Sequence, residues 1–250
     1  MKYLCRSAWN CCLLPVVVIF LVSAGCSRGN DELRVPEQED GTVSVDWLLY
    51  EEQEQGTDQY PVRILVSKNY LRFDDDYDAS DFLLLDRRTH TLFSVSHEER
   101  SILVIEGKPR VTSLPADIAL TEERSEDSNA PTIGGHAPLH VRFKANNDLC
   151  YEAVVVPGLM EMVAEALTEY AELLGLRQLD SLGSFPDAMQ TSCFLSRYVY
   201  RPARHYREGL PVREWDNEGY LRTLMDFGKN RSVSPGLFLL PDGYEQFQIN

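Results

Sequence analysis

The chain has 250 residues, 44% of them hydrophobic, with 39 acids against 24 Lys and Arg and a formal net charge of −15. Such a surface repels nucleic acid and anionic headgroups, so neither nucleic-acid binding nor charge-driven membrane contact is expected. The length is enough for one large core or two small ones.

At the N-terminus, Lys2 and Arg6 precede an apolar stretch from Cys11 to Val22 that is broken by Pro15 and runs into Leu21-Val22-Ser23-Ala24-Gly25-Cys26. A charged segment, a short apolar segment and small residues before a cut site are the marks of a leader. The apolar stretch is short of the ~20 residues that a membrane span needs. The run ending at Cys26 resembles the lipobox of bacterial lipoproteins. That resemblance implies cleavage between Gly25 and Cys26, a diacylglycerol on the Cys26 thiol and an acyl chain such as palmitate on the new amine. Several chains hold a protein firmly where one binds only marginally. Ser27 follows the cysteine, which in the same family implies sorting to the outer membrane. The expected organisation is a signal peptide over 1–25, an acylated cysteine and flexible tether over 26–41, and one domain over 42–250 facing the periplasm.

Of six cysteines, Cys5, Cys11 and Cys12 fall in the leader and Cys26 is the lipid site, leaving Cys150 and Cys193. In an oxidising compartment two remaining thiols read most simply as one disulfide. Buried free thiols and a redox pair are the alternatives, and no Cys-x-x-Cys supports the latter. The bridge would fasten the segment after the long helix to the strand before it.

From Thr42 the pattern turns to strands: 42–50, 60–66, 70–73, 81–85, 91–95 and 101–105, separated by turn-rich gaps. This spacing predicts an antiparallel meander. Phe82-Leu83-Leu84-Leu85 and Ile102-Leu103-Val104-Ile105 are apolar at every position, whereas a strand with one wet face needs only alternate apolar residues. Both strands must be covered twice, by a helix and a curling sheet or by a hollow that holds something. Residues 107–137 read as loop, and strands resume over 139–143 and 151–156. Leu159, Val163, Leu167, Tyr170 and Leu174 form a helical stripe, with Gly175 as its stop. The stripe either packs the sheet or lines the hollow, where Met160 and Met162 would suit adaptable contact. A short helix is expected over 191–200, then strands over 210–215 and 220–226 joined by Asp216-Asn217-Glu218-Gly219.

Leu71-Arg72-Phe73, the apolar strand ending in Asp86, Leu92-Phe93-Ser94-Val95, the strand 102–105 and the ending Pro241-Asp242-Gly243-Tyr244 together resemble the LolA/LolB-like periplasmic lipoprotein carriers. The resemblance implies an α+β fold: a curved antiparallel half-barrel packed on one long and one or more short helices, with an apolar concavity able to take acyl chains.

The residues give little support to catalysis, and no catalytic residue, metal ligand or cofactor is assigned. His136 and His140 are separated by Pro138, which opposes a helix that would align them. His97-Glu98-Glu99 lacks the second histidine of a zinc protease. Asp74, Asp76, Asp78 and Asp81 have the alternate spacing of a calcium loop, but Ala79 and Leu85 stand where glycine and a bidentate acid belong. A charged hairpin tip is the simpler reading. Arg72 and Asp86 are expected to pair across strands. Three functions stay open: non-enzymatic binding of a lipid or acyl chain, a solid-cored body that docks an envelope protein, and a cell-envelope hydrolase. Membrane contact is expected through the lipid anchor alone.

Overall fold

A computed structural model describes residues 41–77, 80–107, 110 and 112–249; the expected leader, Gly25, Cys26 and the expected tether through residue 40 lie outside the described residues. The strands are β1 (Val43–Gln53), β2 (Tyr60–Val66), β3 (Tyr70–Asp74), β4 (Phe82–Asp86), β5 (Thr91–Ser96) and β6 (Ser101–Glu106). They continue as β7 (Leu120–Glu126), β8 (Leu139–Ala145), β9 (Asp148–Val156), β10 (Leu210–Trp215), β11 (Leu221–Val233) and β12 (Glu245–Ile249). The main helix is α1 (Glu161–Ser181), followed by a short α2 (Ser192–Phe194) that continues as a π-turn segment (Leu195–Tyr200), and by α3 (Arg204–Glu208).

All twelve strands join one sheet in the order β12-β6-β5-β4-β3-β2-β1-β11-β10-β9-β8-β7. The meander β1 to β6 grows from one side of β1, and β11 to β7 grow from the other. β1 and β11 pair through most of their length, with register shifts between Val45 and Trp47 and between Leu49 and Tyr50. The C-terminal β12 then pairs parallel to β6.

The alternation of each strand sorts its side chains between two layers, because successive Cβ atoms point to opposite faces. Leu48, Val62, Ile64, Leu71, Phe73, Leu85, Leu92 and Ile105 bury against Leu159, Met160, Val163, Ala166 and Leu167. The opposite face carries Val43, Val45, Leu65, Tyr70, Phe82, Leu84, Val95 and Ile102, which bury with Phe238 of the 3-10 turn Pro235–Phe238. Leu237, Leu240 and Tyr244 pack at the rim of that layer. The doubly apolar strands therefore have two protein covers: the α1 layer takes Leu83, Leu85, Leu103 and Ile105, and the C-terminal segment's layer takes Phe82, Leu84, Ile102 and Val104.

This arrangement corrects the expected α+β half-barrel of the LolA/LolB type. The fold is dominated by its sheet, 43% of the described residues being strand against 22% helical, and the sheet is mixed rather than antiparallel throughout. Two segments account for the difference. Leu120–Glu126, read as loop, pairs with β8 as the outer strand β7, and β11 runs on to Val233, seven residues beyond the predicted end at Asp226. The second face is closed by the chain's own C-terminal segment.

Gly175 does not stop α1, which continues to Ser181. A Cβ there would lie 2.8 Å from Pro202 Cγ and 2.9 Å from the Val199 carbonyl, so the missing side chain lets the segment after α2 press against the helix. The stripe Leu159, Val163 and Leu167 packs the sheet, as does Met160 at the helix N-terminus.

Candidate functional site

The sequence-derived candidates separate in space. Cys150 of β9 is bonded to Cys193 of α2 across 43 residues, which fastens the segment leading out of α1 to the sheet. His140 Nε2 lies 2.9 Å from Glu152 Oε2, and its ring stacks on Trp215. His136 instead closes a two-way backbone turn with Ile133. His97 Nδ1 lies 2.8 Å from the Tyr244 hydroxyl, while its backbone N–H donates to Asp81 at 2.7 Å.

Within the acid cluster, Asp78 and Ala79 lie outside the described residues, and Asp74 is committed to arginines. Arg63 donates to both of its oxygens at 2.7 and 2.9 Å, and Arg72 Nε donates at 2.6 Å. Burial works against the Asp74 charge, but these guanidinium partners outweigh it and hold the carboxyl below its usual range. The expected Arg72–Asp86 pair is corrected. Asp86 stands opposite Tyr70 in the ladder while Arg72 stands opposite Leu84, so Asp86 pairs with Arg88 at 2.7 Å instead. Arg72 lies over the Phe82 ring at 3.7 Å and donates to the Leu237 carbonyl at 2.7 Å. It thereby ties the C-terminal segment to the sheet.

A buried polar network lies between α3 and the strands β1, β10 and β11. Arg222 Nε is 3.0 Å from Glu52 and Nη1 is 3.7 Å from Glu214, with the guanidinium over the Tyr50 ring. His205 Nε2 is 3.3 Å from Glu214, and Nδ1 is 3.4 Å from the Tyr151 hydroxyl. Burial lowers the His205 pKa to about 4 against the pull of Glu214, keeping the ring neutral. Burial also pushes Tyr206 up to about 12. These groups bind one another, a pattern that structural networks share with active sites.

One open feature among the described residues is a cavity of about 480 Å³ between the second half of α1, the segment Val199–Arg207, and Gly107, Arg110 and Thr112. Its size falls within the range of small-molecule sites. Leu173, Leu176, Val199 and Pro202 supply an apolar wall, while Arg110, Arg201, Arg204 and Arg207 stand against only Glu169 and Glu172. That balance runs opposite to the acidic chain as a whole. A neighbouring depression of about 500 Å³ is lined by Glu161, Glu165, Glu169 and Glu208 with Arg207 as its one arginine.

The four arginines are held differently. Arg204 is buried and fixed by Glu122 of β7 at 2.6 Å and by the Thr121 carbonyl at 3.1 Å, so it secures the sheet edge. Arg207 pairs with Glu172 at 3.0 Å, both side chains being about half exposed or more, and Arg110 pairs with Asp180 in a similarly exposed position. Arg201 has no carboxylate partner among the described residues. Its Nη1 donates to the carbonyls of Tyr200 and Thr112 at 2.6 and 3.2 Å. Three N–H groups, on Nε and Nη2, have no partner among the described residues. Arg201 stands directly after the π-turn, a local form that recurs at functional sites. Sequence reasoning missed all four, because Arg110 falls in the segment 107–137 read as loop and the other three lie between the helix expected over 191–200 and the strand expected from 210.

No family model matches the chain, and no curated protein is significantly similar to it. Among solved structures, the chain is similar to PNGF-II in a C2 crystal form, with TM-score 0.41 and 9% identity over 83% of this chain and 31% of the other. It thus spans less than a third of that protein. It is also similar to an uncharacterised conserved protein from Thermus thermophilus, with TM-score 0.41 and 8% identity over 84% of this chain and 94% of the other. With both scores below 0.5, neither neighbour assigns a fold family or an activity.

Proposed function

We propose that this protein is a lipid-anchored lipoprotein of the bacterial envelope, facing the periplasm at the outer membrane, and that its body works by binding rather than by catalysis. The lipobox-like run ending at Cys26 supports the anchor, and the Cys150–Cys193 bond fits an oxidising compartment. One observation carries the binding reading. Side chains of the protein itself fill both sides of the doubly apolar strands, while the arginine-lined cavity beside α1 stays open. This favours a solid-cored body that recognises a ligand or partner at its surface over a carrier that encloses an acyl chain within the sheet.

Substituting Cys26→Ala in the full chain, with palmitate labelling and cell fractionation, tests the anchor. The wild type is expected to be labelled and recovered with membranes, and the variant unlabelled and released. A variant that stays labelled and membrane-bound contradicts the reading.

A further inference from the structure

The geometry points to a phosphate site in the cavity beside α1, centred on Arg201, that takes an organic phosphate with a short apolar part. This deepens the binding function proposed above and rests on it.

A guanidinium recognises oxyanions best along a planar edge that offers two parallel N–H bonds. In Arg201 that edge is free among the described residues, because both contacts are made by Nη1. These carbonyl contacts orient the group without neutralising it, so the cost of ordering it for a ligand is already met by the fold. Arg110 and Arg207 line the same cavity and, among the described residues, pair with exposed acids, Asp180 and Glu172. Exposed ion pairs of this kind are weak and re-pair readily. A tetrahedral phosphate, with three oxygens to share, can use more of these donors than a carboxylate can. Leu173, Leu176, Val199 and Pro202 then give an attached apolar group somewhere to lie. The negative charge of the whole chain opposes anions at long range, but salt screens it beyond about 8 Å, and the arginines act within that distance.

Calorimetric titration of the full-length protein in nonionic detergent with hexyl phosphate, inorganic phosphate and hexanol tests the assignment. Hexyl phosphate is expected to bind saturably and more tightly than either fragment. R201Q should weaken it at least tenfold, and R201K by less, because an ammonium keeps the charge but lacks the two-pronged edge. R142Q, outside the cavity, should leave the affinity unchanged. A thermal midpoint kept by R201Q separates lost binding from lost folding, and R201K supplies the comparison where R201Q does not fold. Competition by dihexanoyl phosphatidylglycerol identifies a lipid source of the phosphate, and competition by glycerol 3-phosphate a soluble one. Absence of saturable hexyl phosphate binding, or wild-type affinity in both Arg201 variants, overturns the proposal. Hexanol binding as tightly as hexyl phosphate overturns the phosphate assignment alone and leaves the cavity a binding site.

Discussion

His205 shows how a single buried group makes stability depend on pH. Its ring sits between Glu214 and Tyr151, with Arg197, Arg204 and Arg222 adding positive charge nearby. Burial lowers its pKa from 6.5 to about 4, so between those values the unfolded chain binds the proton and the folded chain does not. Stability therefore rises with pH across that window, is complete above about 6.5 and is lost as the pH falls towards 4. The full shift corresponds to about 3 kcal/mol. Urea unfolding at stepped pH should show this loss in the wild type and a flatter profile in His205→Gln, which keeps a polar side chain but does not titrate. An unchanged slope in the variant would assign the loss to other groups. At this scale the sequence is a poor guide to partners. Proximity along the meander suggests Asp86 for Arg72, but the ladder puts Asp86 opposite Tyr70. The acid two residues along the same face, Asp74, takes the arginine instead.

At the scale of elements, α1 carries the clearest consequence of close packing. Alanine is intrinsically the better helix former, by about 1 kcal/mol over glycine. At Gly175 the added Cβ would meet Pro202 and the carbonyl of Val199 at under 3 Å, and a carbonyl cannot rotate away. Gly175→Ala is expected to cost about 1–3 kcal/mol, in the range of overpacked cores, and to lower the thermal midpoint. A stabilised variant would show that the segment after α2 yields freely. The same glycine explains why the sequence suggests a shorter helix than the one that forms: a composition signal for a stop is also the signal for close approach. Strands whose apolar runs are bounded by turn residues, such as β2 before Ser67-Lys68-Asn69 and β10 between Gly209 and Asp216-Asn217-Glu218-Gly219, are legible to the residue. β7 is not, because Leu-Thr-Glu-Glu-Arg-Ser-Glu has almost no apolar face. It lies at the outer margin of the sheet, where charge discourages further pairing. The cavity is illegible for a related reason. Its walls come from α1, the segment Val199–Arg207, and Gly107, Arg110 and Thr112, and no local spacing links them.

For the whole molecule, two-sided burial can be read from the sequence but its cause cannot. Strands apolar at every position demand two covers, and a hollow is one way to meet that demand. The chain meets it with α1 on one face and Phe238 with its neighbours on the other. Among the described residues, open space remains at the margin of α1, and the arginine-lined cavity there is where the proposed binding would take place. Hydrogen–deuterium exchange of the full-length protein in nonionic detergent, with and without hexyl phosphate, tests this most directly. Added protection is predicted in 169–176 and 199–207, with the doubly apolar strands 82–86 and 101–105 unchanged. Protection concentrated in 82–86 and 101–105 and absent around Arg201 would place the ligand within the sheet and contradict the proposal.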